Sequence, residues 1–433
     1  MNRLASRARD TFAERHAARH AALACMATLA VVLGIGRFAF TPLLPLMLHG
    51  SAFGQPQIDI QHGGWLASFN YAGYFVGALT CAALRVEPAR MVRMGLVGTV
   101  LLTSAMGVTS QFWLWAVVRF VAGAISAWTF VFASQWGLRR LAELGAHGWG
   151  GVIYTGPGVG IVGTGLLVSA AGGYGATAGW IGFGLIAAVL SITVWPVFGI
   201  VTGHHSAAEG AAAATGSATV ATRAAPGSAT GQHVPTSHPG NRADALWLVL
   251  LYGVPGFGYI ITATFLPVIA RHALPGSAWP DLFWPMFGAA LIVGALLAAR
   301  LPVHWDNRTL LAGCYVLQAA GIALGIVWPT AGGFSLGSIL IGLPFTAITL
   351  FAMREARRLH GDNAAGLMGY ATAAYGVGQI VGPLVAAPIA EHTGSFSPAL
   401  WLATGALLLG AVGLIIVARM PRGRGRMPHC GCN

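Results

Sequence analysis

The chain has 433 residues, of which 56% are hydrophobic and only 8% are charged, and its formal net charge is +12. A soluble globular protein carries about 25% charged residues, so this composition excludes that class. The basic residues, all arginine, are spread over seven separate segments rather than one face, which argues against nucleic acid as a partner. We therefore expect a protein of the lipid bilayer.

Twelve segments are apolar enough to cross a bilayer, which takes about 20 residues. They lie near residues 21–48, 63–84, 91–108, 111–135, 148–171, 177–201, 245–270, 279–299, 309–328, 332–353, 364–389 and 398–418. The sequence therefore predicts an all-α integral membrane protein with twelve transmembrane helices.

Arginine alternates between the links that join these segments. Both ends of the chain and every second link carry it, whereas the remaining links contain only Arg271. Because positive residues mark cytoplasmic links, we expect a multi-pass protein with both termini in the cytoplasm. An odd number of spans would destroy the alternation, so the charge pattern supports twelve.

The middle of the chain divides it into two halves. Residues 203–243 are rich in Ala, Gly, Ser, Thr and Pro, which predicts a flexible cytoplasmic linker. The expected units are a cytoplasmic N-terminal segment 1–20, a six-helix bundle 21–202, the linker, a second six-helix bundle 244–419 and a cytoplasmic tail 420–433. Cys430 and Cys432 in that tail have no distant partner, so we expect neither a metal site nor a cofactor.

The two halves share short sequence patterns in the same order. GIGRFAFTPLLPLM, which begins at Gly34, aligns without a gap with GFGYIITATFLPVI, which begins at Gly256. The glycines and the second proline coincide, but Arg37 falls on Tyr259. GVGIVG of the fifth span resembles GVGQIVG of the eleventh. These matches predict a 6+6 parallel repeat about a pseudo-two-fold axis along the membrane normal.

Twelve spans, a 6+6 repeat and a central cytoplasmic loop resemble the major facilitator superfamily over essentially the whole chain. RFVAGAISA places Arg119 four residues before Gly123 and resembles the fourth-helix motif of that family. GALTCAALR resembles the family's loop motif after span two, except that Cys81 stands at the place of its aspartate. GIGRFAFTPLLPLM resembles the first helix of a bacterial branch, the YbfB/YjiJ-type transporters.

That resemblance implies a secondary active transporter of the bacterial inner membrane that works by alternating access and is not an enzyme. It implies a small-molecule substrate and a monomer, and it leaves H⁺ open as a coupling ion. GPGVG of span five resembles an exporter motif, although Val152 replaces one expected glycine, so export is favoured over import. The alternatives are a small-molecule sensor or receptor with a transporter fold, and a facilitator without proton coupling.

Only Arg37 and Arg119 lie well inside predicted spans, and all twelve acidic residues fall in links or termini. A buried arginine costs at least about 2.5–3.5 kcal/mol on insertion scales, so it needs a compensating partner. Guanidinium binds carboxylate and phosphate bidentately, which predicts a small anionic organic substrate. For Arg119 a structural role has the same weight as ligand binding. In that role its side chain donates hydrogen bonds to carbonyls or to a neighbouring helix.

Further polar residues of the spans are candidates for substrate contact. They are Thr41, Asn70, Tyr71, Tyr74, Tyr252, Tyr259, Thr262 and Gln379. For Asn70 and Gln379 an interhelical hydrogen bond is the favoured alternative. Glycines and prolines are predicted to act in hinges and close helix packing; they are Gly34, Gly36, Pro42, Pro45, Gly156, Pro157, Gly160, Gly256, Gly258 and Pro267. If protons are coupled, the substrate itself, His62 or His392 would carry them.

Overall fold

The computed structural model describes residues 2–49, 58–203, 239–302, 304–360 and 364–419. The body of the predicted linker and the whole of the predicted tail lie outside these ranges. Within them, helix already begins at Pro239, before the predicted end of the linker. The N-terminal segment is helical from Asn2 and runs directly into the first span.

The regular elements among the described residues are all helical. We label the spanning helices α1 (Glu14–Leu48), α2 (Ile60–Thr80), α3 (Pro88–Val108), α4 (Phe112–Glu143), α5 (Gly150–Ala171), α6 (Gly175–Gly199), α7 (Ala243–Ala273), α8 (Pro280–Ala298), α9 (Asn307–Val327), α10 (Ala331–His360), α11 (Gly366–Thr393) and α12 (Ser397–Arg419). Eleven are long and apolar enough to cross a membrane. The twelfth, α2, has 21 residues, but Gln61, His62 and Asn70 make it more polar.

The helices pack in two equivalent sets of six. Helix α1 packs on α5, α2 on α4, α3 on α6 and α3 on α4; the same pairs recur as α7 on α11, α8 on α10, α9 on α12 and α9 on α10. The halves meet where α2 packs on α11, α5 on α8 and α1 on α7. This pattern confirms the predicted twelve-helix 6+6 fold.

The repeated glycines make the same close contact in both halves. A Cβ on Gly34 of α1 would overlap the backbone of Gly160 in α5. Its repeat partner Gly256 of α7 lies against Gly378 of α11, where a Cβ would meet the backbone of Gly256 and Phe257. The glycine positions that align in the sequence are therefore the ones that let the first and fifth helices of each half approach closely.

Helix α1 departs from regular geometry just before Arg37. Residues Ala30–Ile35 form a π-helix, and Gly36 N–H donates to Val31 O while Phe38 N–H donates to Leu33 O, five residues back. Thr41 N–H then donates to Phe38 O instead of Arg37 O. The carbonyls of the turn are thereby freed for other partners. The equivalent stretch of α7 stays α-helical, so only α1 carries this irregularity.

A charged cluster joins the ends of four helices in the second half. Arg308 Nε donates to Glu355 Oε1 over 2.7 Å, Nη2 donates to Asp244 over 2.6 Å and Nη1 donates to Val417 O over 3.0 Å. Glu355 is only 1% exposed, because α10 continues to His360, beyond the predicted end of span ten. This cluster marks the face of the bundle at which α7 begins and α12 ends, here called the arginine-rich face.

Candidate functional site

Arg37 lies at the contact between the two halves and is 5% exposed. Its Nη2 donates a 2.9 Å hydrogen bond to Gln379 Oε1 of α11. Its Cζ lies 4.1 Å from the ring centroid of Tyr74 and 5.0 Å from that of Tyr71, both on α2. Cation–π contact with desolvated rings contributes about 2 kcal/mol or more, which offsets part of the burial cost. The Nε atom of Arg37 has no hydrogen-bond partner among the described residues.

Arg119 of α4 binds the irregular turn of α1. Its Nη1 and Nη2 donate to Gly36 O and Arg37 O, each over 3.3 Å, and its Cζ lies 4.6 Å from the ring centroid of Phe40. These are the carbonyls around which the π-helix disturbs the backbone ladder. A planar guanidinium with several donors can satisfy both carbonyls at once. Arg119 thus fixes the backbone from which Arg37 extends.

Gln379 connects three helices through its amide. Its Oε1 accepts from Arg37 of α1, and its Nε2 donates to the hydroxyl of Tyr259 on α7. Tyr259 is fully buried, and its ring stacks on Tyr375, 6.0 Å between centroids. Tyr375 also stacks on Tyr252 at 5.0 Å. The sequence repeat aligned Arg37 with Tyr259, and in the structure one amide bridges the two side chains.

Three further hydrogen bonds join the halves near Arg37. Thr41 Oγ1 donates to Ala263 O over 2.8 Å, and Ser68 Oγ donates to Ile380 O over 2.9 Å. The hydroxyls of Tyr71 and Thr264 lie 3.0 Å apart. Thr41 therefore contacts the opposite half through its hydroxyl, next to the turn that carries Arg37.

Two of the candidate residues have other environments. Asn70 Nδ2 donates to Arg119 O over 2.9 Å, which is an interhelical bond between α2 and α4. Thr262 lines a small, mostly apolar cavity with Ile322 and Phe334 of the second half, and its hydroxyl has no partner among the described residues. The structure groups Arg37, Gln379, Tyr74 and Tyr259, with Thr41 beside them, and leaves Thr262 apart.

The formal charge near the grouped residues is positive and comes from Arg37 and Arg119. Among the described residues, no carboxylate forms an ion pair with Arg37 or Arg119, and every ion pair lies near a helix end. No group of three or more His, Cys, Asp or Glu side chains in the described part of the chain could hold a metal ion. The site can therefore offer positive charge, neutral hydrogen-bonding groups and aromatic faces.

The two histidines predicted as alternative proton carriers lie near helix ends, His62 in the first turn of α2 and His392 in the last turn of α11. His62, at the start of α2, contacts Asp59 Oδ1 at 2.7 Å and packs edge-on against Phe112. Burial alone would raise the pKa of Asp59, but hydrogen bonds from the backbone and ring of His62 outweigh this effect and lower the pKa. Tyr74, which contacts Arg37, is about three helical turns farther along α2.

Comparison with known proteins now identifies the family. Residues 29–226 and 218–415 match the family described as "Uncharacterised MFS-type transporter YbfB". The chain belongs to this branch of the major facilitator superfamily. The match covers nearly the whole of both halves, so the YbfB-type resemblance of the first helix is confirmed at the level of the family.

The chain is also similar to one curated protein over part of its length and to one solved structure in its fold. It is 35% identical over 169 residues to a chloramphenicol resistance protein of Streptomyces lividans, a match that spans 35% of the chain and 38% of that protein. Its structure is similar to the crystal structure of the nucleoside transporter NupG (D323A mutant), with a TM-score of 0.65 and 13% identity, covering 90% of this chain and 99% of the other. The second likeness shows the fold alone.

Two residues around Arg37 were not among the sequence candidates. They are Ser68, which donates a hydrogen bond to the other half, and Tyr375, which stacks on Tyr259. The sequence held one signal for Tyr375, which directly precedes the repeated GVG pattern of α11. Tyr375 would have been found by asking which side chains flank the shared glycines.

Proposed function

We propose that this family member is a secondary transporter that moves a small organic anion across the bacterial inner membrane by alternating access, with Arg37 binding the anion. One observation carries the proposal. The guanidinium of Arg37 is 95% buried at the contact between the halves, yet its hydrogen-bond partner is the neutral amide of Gln379. A charge in such a place is poorly compensated, so a carboxylate or phosphate would gain more from it than an amide does.

The contact with Gln379 suggests how binding would drive the conformational change. An anion that binds Arg37 would replace Gln379 Oε1 and remove a hydrogen bond between α1 and α11. The amide of Gln379 would remain tied to Tyr259, within the second half. Ligand binding would therefore change the relative stability of the arrangements of the two halves, which is what alternating access requires.

The packing between α5 and α8 is looser near the arginine-rich face than away from it. A Cβ on Gly165 would overlap Pro285, whereas a Cβ on Gly151, near that face, would be in ordinary contact with Ala299 at 3.9 Å. The positive-inside rule assigns the arginine-rich face to the cytoplasm. We therefore propose that the site loads from the cytoplasm.

Two observations favour export as the direction. GPGVG of α5 resembles part of an exporter motif, and a relative is described as a chloramphenicol resistance protein. Proton coupling through a carboxylate at the site has no candidate among the described residues. The proposed carrier of any proton is thus the substrate, and a facilitator without proton coupling is the second candidate. A receptor with the same fold would bind the ligand without net flux.

Flux in proteoliposomes tests this proposal. Purified protein would be reconstituted, and counterflow of labelled carboxylates would be compared for wild type, Arg37→Gln and Arg139→Gln, whose side chain is 73% exposed in the wild type. We expect Arg37→Gln to lose most of the flux and Arg139→Gln to retain it. Equal flux in all three proteins would contradict the role of Arg37. Repeating the assay with an imposed pH gradient separates the two candidates, because a facilitator is indifferent to it.

A further inference from the structure

Aromatic rings surround the guanidinium of Arg37 on the side of α2 and continue across the second half. Tyr71 and Tyr74 lie against its Cζ, and Tyr259, Tyr375 and Tyr252 follow beyond Gln379. Phe345 of α10 meets Tyr259 edge-on at 5.0 Å. A site for a small aliphatic acid would not need this amount of ring surface. The aromatic composition of this row of rings, here called the aromatic wall, therefore indicates the shape of the ligand.

The guanidinium of Arg37 lies on an aromatic surface. Its Cζ lies over the Tyr74 ring at 4.1 Å from the centroid, which is close to van der Waals contact. The ring centroids of Tyr71 and Phe38 lie 5.0 and 5.3 Å from the same atom. A ligand that binds this guanidinium would therefore lie beside aromatic rings.

A carboxylate that pairs with such a guanidinium must share its plane, because the two bonds of a bidentate pair are parallel. In an aryl carboxylate, conjugation keeps the ring in the plane of the carboxylate. The aryl ring would therefore extend in the layer of the guanidinium plane, beside the rings that surround Arg37. A carboxylate on a tetrahedral carbon turns the rest of the molecule out of that layer.

Part of the surrounding ring surface is open. Tyr74, Tyr375 and Phe345 are only half-buried, whereas Tyr259 is fully buried. Tyr252 donates its hydroxyl proton to Thr349 over 3.1 Å, and Thr349 is exposed on α10. The rings thus form a continuous wall from the buried guanidinium to an accessible position.

We infer that the transported anion is a planar aryl carboxylate, bound by Arg37 in place of Gln379 and packed against the aromatic wall that includes Tyr74 and Tyr375. This inference rests on the proposed function, since it gives the ligand of Arg37 a chemical class. The carboxylate supplies the charge that Gln379 lacks, and the ring supplies the contact area.

Equilibrium binding to purified protein in nanodiscs tests the inference. The probes are benzoate and 2-naphthoate, each paired with its ring-saturated counterpart, cyclohexanecarboxylate and decahydro-2-naphthoate. We expect the aryl members to bind roughly 3- to 10-fold more tightly than the saturated ones, the range expected for one favourable aromatic contact. Tyr74→Leu should abolish this discrimination, whereas Tyr74→Phe, which keeps the ring, should preserve it. Tyr375→Leu serves as a second test if Tyr74→Leu does not fold.

The outcomes separate this inference from the proposed function. Equal affinity for aryl and saturated acids, with binding lost in Arg37→Gln, would overturn the aryl class and leave the anion site standing. Discrimination that survives both Tyr74→Leu and Tyr375→Leu would overturn the aromatic wall. Binding that is unchanged in Arg37→Gln would overturn the proposed function itself, and so would the absence of binding by all four acids.

Discussion

Arg37 Nη2 and Gln379 Oε1 lie 2.9 Å apart although 342 positions separate the residues in the chain. This bond joins the first helix of one half to the fifth helix of the other, deep inside the bundle. It is a bond between a cation and a neutral amide, in a place where an anion would be a stronger partner. The proposed mechanism depends on this mismatch, and the amide can be altered without removing the cation.

Gln379→Glu should block the site with an internal anion. The introduced carboxyl would lie next to Arg37 and neutralise it, so we expect carboxylate affinity to fall by at least about 10-fold, the loss of one charge-assisted hydrogen bond. The thermal-unfolding midpoint in detergent should rise, because the buried cation gains a partner. Unchanged affinity at neutral pH would contradict the placement of the ligand.

The two buried arginines should behave differently when each is changed to glutamine. Arg119 holds two carbonyls of the irregular turn in α1, so Arg119→Gln should lower the thermal-unfolding midpoint. Arg37→Gln should leave the midpoint near that of wild type, because the change removes an uncompensated charge, while carboxylate binding is lost. Both are measured on the same purified variants. The reverse pattern would assign the ligand to Arg119 instead.

Gly160→Ala should destabilise the first half by forcing α5 away from α1. The added methyl group would overlap Ala30 O and Gly34, and overpacking of this kind costs about 1–3 kcal/mol. Gly163→Ala is the matched control on the same helix, since nothing lies within 4 Å of its added methyl group. A lower thermal-unfolding midpoint in Gly160→Ala alone is expected, and equal midpoints would show that the close approach is dispensable.

Glu355→Gln should weaken the arginine-rich face of the second half. Removing one member of a buried ion pair costs about 3–5 kcal/mol when the other charge is left unpaired. We expect a loss below this range, because Arg308 loses its least exposed partner but keeps its contact with Asp244. Glu143→Gln is the comparison: its pairs with Arg139 and Arg140 are exposed and contribute about 0–1 kcal/mol. Unfolding of both variants by guanidinium chloride or by heat measures these losses of stability. Similar losses in the two variants would contradict the stabilising role assigned to the buried pair of Glu355 and Arg308.

The sequence predicted those features that depend on periodicity and on aligned small residues. Twelve helices, the 6+6 repeat and the contact positions of Gly34 and Gly256 follow from hydropathy and from the matched GxG patterns. The predicted span ten ended before Glu355, but the helix continues past the apolar run and buries the acid against Arg308. Hydropathy alone does not predict the burial of a charged side chain whose partner lies on another helix.

The arrangement of the site was less accessible. Arg37 stood out because a charge in an apolar helix is costly, but its bond to Gln379 depends on how the halves meet. The π-helix before Arg37 has no local sequence mark beyond its glycines and the following prolines, since it depends on the carbonyl contacts of Arg119. Tyr375 stands beside the repeated glycines of α11, but its stacking on Tyr259 depends on tertiary packing.

Equilibrium binding of acetate, benzoate and 2-naphthoate to wild type, Arg37→Gln and Arg139→Gln, all in nanodiscs, is the most direct measurement. Arg37→Gln should lower the affinity for every carboxylate that wild type binds by roughly 10- to 100-fold, the range for a lost hydrogen bond to a charged group. Arg139→Gln should bind as wild type does. Equal affinities in all three proteins would contradict the account, because the buried guanidinium would then have no part in recognising the anion.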